Sequence, residues 1–216
     1  MSFPTAKNLA GDRDIEWGFV FAHLPAPRRP DAAALDFGPG KSFVGLVLAM
    51  RGYDVTSIDR EPRDRPYHHP RLRHTIADLL DADLPAEHFD LVINCSTVEH
   101  VGLAGRYGID TPLPDGDLEA MAKLHAIMRP GATMLLTVPA GRDAVFDPMC
   151  RVYGPQRLPR LVQRFEVVHE AYWVKDADNR WVPRPRDAAL AFEAHAADPD
   201  PLRNCYALAG LVLRRT

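Results

Sequence analysis

The chain has 216 residues, 46% of them hydrophobic and 25% charged, which is ordinary for a soluble globular protein and favours one large α/β domain. The net charge of −3 gives no electrostatic reason to expect a nucleic acid partner, and no apolar run approaches the roughly 18 residues of a membrane span. The three cysteines are far apart and form no CxxC pair, so neither a disulfide scaffold nor a structural zinc site is expected, and we predict a cytoplasmic protein.

The predicted elements alternate between strands and helices, as in a mostly parallel sheet with helices on both faces. In chain order we predict a helix over 12–23, a strand over 32–37, a helix over 41–51, strands over 53–58, 72–76 and 89–94, a helix over 117–128, strands over 134–138 and 165–173, a helix over 187–197 and a strand over 205–213. Residues 60–70 are predicted to be a loop or a short broken helix, and residues 182–186 a loop.

A segment with two glycines, residues 35–42, joins the first predicted strand to the helix that follows it. Glycines at such a turn let a ligand approach the backbone closely. A P-loop is rejected because its first glycine would have to be residue 35, which is Leu35. The dinucleotide motif GxGxxG would need glycine where Phe43 stands, which weakens a nicotinamide site without excluding it.

The same segment resembles motif I of class I (Rossmann-like) S-adenosylmethionine-dependent methyltransferases, with Asp36 followed by Gly38 and Gly40 and with Ser42 in place of a third glycine. Further matches follow in the order that this family shows. They are Asp59 and Arg60 after the second strand, Asp78-Leu79 after the third, Asn94 at the end of the fourth, Glu99-His100 beyond it, and 128–131 before the fifth. The resemblance covers residues 32–139 closely.

This resemblance implies a seven-stranded sheet of order 3-2-1-4-5-7-6, with strand 7 antiparallel. It implies one domain over 1–216, in which 1–30 is a helical cap, 31–139 a cofactor-binding core and 140–216 the acceptor side. S-adenosyl-L-methionine is the implied cofactor. The implied contacts to it come from Asp36, Gly38, Gly40, Asp59, Arg60, Asp78, Leu79 and Asn94. The segments 96–102 and 151–158 also resemble bacterial methyltransferase-like proteins of the DUF268 type.

His100 is the candidate general base, because an imidazole titrates near neutrality and should lie at the strand edge where ligands bind. The alternative is that His100 packs beside the cofactor without moving a proton. Glu99 either orients His100 or touches the ligand, or it is a solvated carboxylate. No catalytic metal is predicted, because the adjacent His68 and His69 point apart and no further ligand follows at metal-site spacing.

Acceptor binding is predicted for Arg106, Tyr107, Arg151 and Tyr153, in irregular segments over the strand ends. Guanidinium groups pair with carboxylates and phosphates, so an anionic acceptor is expected. The DUF268 resemblance implies a saccharide or another biosynthetic intermediate, and we expect a small or modest-sized acceptor that is methylated at oxygen or nitrogen. The helix with Trp17 and Phe21 is either a lid or ordinary core. A cofactor-binding protein without catalysis and an NAD-linked oxidoreductase remain as alternatives.

Overall fold

The structure is a computed structural model that describes residues 12–62, 67–105, 107–176, 180–194 and 206–216. Its helices are α1 (Asp12–His23), α2 (Val44–Met50), α3 (Gly116–Ile127), α4 (Arg157–Val162) and α5 (Arg186–Leu190), with a short 3₁₀ helix at Val98–His100. Its strands are β1 (Ala33–Phe37), β2 (Asp54–Asp59), β3 (Leu72–Ile76), β4 (Phe89–Cys95), β5 (Met128–Ala140), β6 (Ala144–Phe146), β7 (Cys150–Val152), β8 (Phe165–Lys175), β9 (Trp181–Pro183) and β10 (Ala207–Arg215).

Eight strands form one sheet in the order β3-β2-β1-β4-β5-β10-β8-β9. Strands β1 to β5 are parallel, and β10 runs antiparallel between β5 and β8. The predicted α/β fold is therefore confirmed, with β8 and β10 as the sixth and seventh strands of the order 3-2-1-4-5-7-6. This sheet has one strand more than predicted, because β9 pairs with the end of β8 where the sequence predicts a loop. The unpredicted β6 and β7 form a separate two-stranded sheet.

Three other boundaries differ from the prediction by three residues or more. Helix α2 begins three residues later than predicted, because Phe43 has φ −107° and ψ 14° and still belongs to the preceding turn. Strand β5 begins at Met128, immediately after α3, and its first residues pair beside a register shift in β4. The predicted helix over 187–197 is short, since α5 ends at Leu190, and residues 195–197 lie outside the described part.

The sheet separates two apolar clusters, and β1 at its centre is buried along its whole length. Leu35 faces the cluster that contains Leu124 of α3, whereas Ala34 faces the cluster that contains Val20 of α1 and Leu48 of α2. This alternation is what a strand covered on both faces requires. In the described part of the chain, no helix combines the length and the apolar character that crossing a membrane requires.

Candidate active site

A cavity of about 330 Å³ lies at the edge of the sheet where β1, β2 and β4 end. Most of the predicted site residues meet in its wall, although they come from five separate segments of the chain. These are Asp36, Gly38, Gly40, Asp59, Arg60, Asp78, Leu79, His100 and Tyr107. The carboxyl ends of parallel strands share one edge, which is why residues that follow different strands converge here.

The glycine loop forms the floor of this cavity. Gly38 and Gly40 have φ of +62° and +55°, a conformation that favours glycine. A Cβ at Gly38 would collide with the side chain of Thr97, whereas a Cβ at Gly40 would meet no protein atom of the described structure within 4 Å. Thr97 also donates through Oγ1 to the carbonyl of Phe37 at 3.1 Å. The loop is therefore tied to the end of β4, and the open space at Gly40 can receive a ligand.

Carboxylates stand where β2 and β3 end. Asp59 accepts hydrogen bonds from the backbone amides of Gly40 and Glu61, both at 3.1 Å, so its carboxylate is fixed against the glycine loop. Asp78 forms an ion pair with Arg60 at 2.9 Å. This geometry holds one carboxylate at each of two neighbouring strand ends and leaves remaining oxygen lone pairs for ligand hydroxyl and amino groups.

Helix α1 closes the opposite side through a buried polar cluster that sequence analysis missed. Glu16 is 1% exposed and accepts hydrogen bonds from the hydroxyls of Ser96 and Thr137, the latter at 2.9 Å. Its second oxygen is 2.8 Å from Arg13 Nη1, and Arg13 lines the cavity. Ser96 has φ +47°, a backbone strain that is typical of functional sites when a non-glycine residue adopts it.

The aromatic residues of α1 are divided between the cavity and the protein around it. Trp17 lines the cavity and makes an edge contact with Phe43 at 5.2 Å between ring centroids. Phe21 does not line the cavity but stacks on the same Phe43 ring at 5.9 Å. Trp17 is therefore part of the cavity wall, as a lid would require, and Phe21 packs against the Phe43 ring that Trp17 contacts.

His100 lies in the short 3₁₀ helix beyond β4 and lines the cavity, with the ring of Tyr107 5.7 Å away between centroids. Its Nδ1 is 2.7 Å from the carbonyl oxygen of Met149. Its Nε2 is 3.6 Å from Oε1 of Glu99, which is 2% exposed and lies behind the cavity wall. Burial raises the pKa of Glu99 to about 8, and the nearby Glu16 carboxylate contributes to the increase.

The prediction that Arg151 and Tyr153 bind an acceptor is wrong in this structure, because both side chains are buried away from the cavity. Arg151 donates to the backbone carbonyls of Val101 at 2.6 Å and Leu113 at 3.0 Å. The Tyr153 hydroxyl donates to Asp117 at 3.0 Å, and burial followed by the Asp117 charge raises the pKa of Tyr153. Arg151 thus holds the loop before α3 in place, and Tyr153 holds the first turn of α3.

Asn94 also does not line the cavity. Its side chain is fully buried, where Oδ1 accepts a hydrogen bond from the amide of Val98 at 3.2 Å and Nδ2 contacts the sulfur of Met121 at 3.7 Å. Successive residues of a strand face opposite sides, so Cys95 reaches the cavity and Asn94 does not. The prediction that Asn94 contacts the cofactor is therefore corrected to a role in shaping the turn after β4.

Two further predictions concern Arg106 and metal binding. Arg106 lies outside the described residues. Among the residues that are described, no group of three or more histidine, cysteine, aspartate or glutamate side chains is placed to hold a metal ion.

Known proteins resemble this chain in sequence and in fold. The family model described as "Caenorhabditis protein of unknown function, DUF268" matches residues 75–180. An rRNA adenine N-6-methyltransferase of Saccharopolyspora erythraea is 30% identical over 182 residues, which cover 81% of this chain and 42% of that protein. The chain thus spans less than half the length of this curated relative.

Solved structures match almost the whole fold at low sequence identity. A 1,6-didemethyltoxoflavin-N1-methyltransferase of Burkholderia thailandensis, with bound S-adenosylhomocysteine, has a TM-score of 0.55 at 16% identity and covers 100% of this chain and 92% of that one. The N-methyltransferase NodS of Bradyrhizobium japonicum, also with S-adenosylhomocysteine, has a TM-score of 0.56 at 15% identity, with coverage of 94% and 87%. A methyltransferase of Archaeoglobus fulgidus reaches 0.62 at 12% identity, with 97% of both chains covered. The chain has the class I, Rossmann-like fold of S-adenosylmethionine-dependent methyltransferases, as its motifs predict.

Proposed function

We propose that this protein is an S-adenosylmethionine-dependent methyltransferase that methylates an oxygen or nitrogen atom of a small or modest-sized molecule in the cytoplasm. The observation that carries the proposal is the glycine loop, where the missing Cβ of Gly40 leaves a gap that opens into the cavity beside Asp59. Neighbours of the same fold have S-adenosylhomocysteine bound, which supports this choice of cofactor.

The cavity wall fits the chemical groups of this cofactor. The Asp59 carboxylate would accept hydrogen bonds from the ribose hydroxyls, and Asp78 would accept one from the adenine amino group beside the apolar side chain of Leu79. Asp36 is 2% exposed and lines the cavity at the first strand end, where an ionised carboxylate would suit a cationic ligand. When bound, the cofactor supplies a methyl group on a sulfonium, and the acceptor forms its new bond to carbon as the carbon–sulfur electron pair returns to sulfur.

The residues of this chain contribute positioning and proton transfer. Trp17, Tyr107 and Val101 form apolar and aromatic walls that exclude water from the reacting atoms. Holding two reactants in line can lower a barrier by about 7–11 kcal/mol, so positioning is the main catalytic contribution that we propose. His100 lies in the same wall and would receive the proton of an acceptor that must lose one.

The residues that face the cavity indicate the chemical character of the acceptor. Arg151 is committed to backbone carbonyls and therefore does not support an anionic acceptor. Arg13 of α1 lines the cavity, and Nη1 of its guanidinium group pairs with Glu16. Lys41 and Arg60 also line the cavity, but they lie in and beside the glycine loop, on the side proposed for the cofactor. On the α1 side, a neutral acceptor with a polar N–H or O–H group therefore matches the wall better than a phosphate or a carboxylate.

Calorimetric titration with S-adenosylmethionine, S-adenosylhomocysteine and NAD tests the cofactor. We expect the first two to bind and NAD to show no heat of binding. NAD binding in place of the other two would replace our proposal with an oxidoreductase. Transfer of labelled methyl from S-adenosylmethionine into a panel of amines and hydroxyl compounds then tests catalysis. Cofactor binding without transfer to any acceptor would favour the alternative of a non-catalytic binding protein.

A further inference from the structure

The contacts of His100 with Met149 and Glu99 bear on which ring nitrogen carries a hydrogen. A carbonyl oxygen can only accept a hydrogen bond, so the 2.7 Å contact with Met149 requires a hydrogen on Nδ1 of His100. A neutral imidazole then has its lone pair on Nε2. That nitrogen is 3.6 Å from Oε1 of Glu99. If Glu99 were ionised and His100 neutral, two lone pairs would face each other in a buried place.

The surroundings of Glu99 make an isolated charge there costly. The side chain is 2% exposed, and its Oε2 has no hydrogen-bond partner in the described structure. Ionisable groups surround the Glu99 carboxyl group. The acidic groups among them disfavour its ionised form, the cationic groups favour it, and an imidazole lies beside it. These groups are Glu16 and Arg13 of α1, Cys95 of β4, Arg151 of β7, Tyr153 after β7, and His100. Arg13 is already paired with Glu16, and Arg151 donates to the backbone of Glu99 and not to its carboxyl group.

We propose that Glu99 and His100 form a buried pair that binds one titrating proton, on either the carboxyl group or Nε2, and act as a single acid–base unit, in which Glu99 is a positioning residue that acts through His100. This inference rests on the proposed function, because it concerns the same cavity. The raised pKa of Glu99, about 8, agrees with a carboxyl group that keeps its proton at neutral pH. Such interacting groups titrate as a pair and not as separate residues.

The unit determines when the site can accept a proton and from which acceptors. While the pair holds its proton, a second proton would make His100 cationic beside a neutral carboxyl group, so the site is a weak base. After that proton has left to solvent, Nε2 takes the proton of the acceptor N–H or O–H, and the unit returns to its filled form. The acceptor class is therefore a molecule that loses a proton on methylation, such as an amine or a hydroxyl compound.

Nuclear magnetic resonance titration of the ring nitrogens of His100 tests the unit without any acceptor. The His100 signals are assigned as those that disappear in His100→Gln. In the wild type we expect them to report a transition near pH 8, well above the value of about 6.5 for an isolated histidine. In Glu99→Gln the transition near pH 8 should be lost and one at lower pH should remain, because the amide does not ionise and His100 then titrates without a carboxylate beside it. Glu166→Gln, at an exposed glutamate of β8 that pairs with Arg214, is the matched control and should leave the transition unchanged.

The wild type also decides the question if Glu99→Gln does not fold. The carboxyl carbon of Glu99 should titrate at the same pH as the nitrogens of His100, since one proton is lost from both. A transition of His100 near its ordinary pH, or one near pH 8 that persists in Glu99→Gln, would overturn the unit. Calorimetry with S-adenosylhomocysteine on the same samples separates the two proposals. Lost cofactor binding counts against the methyltransferase, whereas the titration alone decides the proton.

Discussion

Predicted site residues lie in two regions of the molecule, the cofactor half, β1 to β4, and the segment after β5. The predicted aspartates of the first region reach the cavity, whereas the predicted residues of the second do not. In the first, Asp36, Asp59 and Asp78 reach the cavity from three strand ends. In the second, Arg151 and Tyr153 are buried beneath the loop before α3. In a parallel sheet, a residue that follows a strand lies at the carboxyl edge whatever its distant neighbours are. In the later segment of antiparallel strands, a distant partner decides where a side chain points.

That partner is Asp117, a fully buried carboxylate at the start of α3. It accepts hydrogen bonds from Tyr153 at 3.0 Å and from Arg157 at 2.5 Å, and Arg151 lies 3.7 Å away. A buried carboxylate needs such partners, because ionisation without them is strongly unfavourable. Arginine density in this segment therefore indicates compensation of a buried charge and not recognition of an acceptor.

The largest effect that would test this comparison is expected for Arg151→Ala. The substitution leaves four backbone carbonyls without this donor and removes a cation beside Asp117, so we expect a loss of about 3–5 kcal/mol in the free energy of unfolding. Urea unfolding measures it. Arg142→Ala, at an exposed arginine of the same segment, is the control and should change stability little. If the two variants were equally stable, the buried contacts of Arg151 would not stabilise the fold, and Arg151 would again be a candidate for acceptor binding.

Gly40→Val tests the cofactor half. The valine side chain would fill the gap that opens into the cavity, so binding of S-adenosylhomocysteine should fall below detection in calorimetry. Gly131→Val is a close control, because Gly131 also has a positive φ (+75°) and no protein atom of the described structure near its added Cβ, yet it lies outside the cavity wall. The same backbone strain should destabilise both proteins while only Gly131→Val still binds. Normal binding by Gly40→Val would exclude the loop from the site.

Asp59→Ala should weaken S-adenosylhomocysteine binding by about 1.5–3 kcal/mol, the range for hydrogen bonds to a charged group. Asp54→Ala is the control, since Asp54 begins the same strand and pairs with Arg71 at the surface. Isothermal titration compares the two. If both variants bind like the wild type, the carboxylate at the end of β2 does not hold the ribose.

The smallest effect is expected for Tyr153→Phe, which removes one hydrogen bond to Asp117 and keeps the ring. Because Arg157 still pairs with Asp117, the loss of stability should be about 1 kcal/mol, and S-adenosylhomocysteine affinity should not change. A variant of normal stability with altered methyl transfer would mean that Tyr153 acts in the site after all.

Sequence patterns predicted the fold and the residues at the carboxyl ends of the parallel strands. Both depend on patterns among residues that are near one another in the sequence. The error at Asn94 was avoidable, since the two-residue period of β4 places Cys95 and Asn94 on opposite faces. The role of Glu16 was not predictable in this way. Its hydrogen bonds reach Ser96 and Thr137, which are 80 and 121 positions further along the chain, and no local pattern encodes such a contact.

The position of β10 has a consequence for the order in which the molecule is made. β10 follows β8 and β9 along the chain, yet it lies between β5 and β8 and pairs with both. On the ribosome, β1 to β5 can pair with one another as they emerge, whereas β8 can pair with β9 but cannot join the other strands until β10 has been synthesised. During that interval the edge of β5 is exposed, which makes it vulnerable to pairing with other chains. Completion of this sheet is therefore a late event in folding, separated from formation of the cofactor edge.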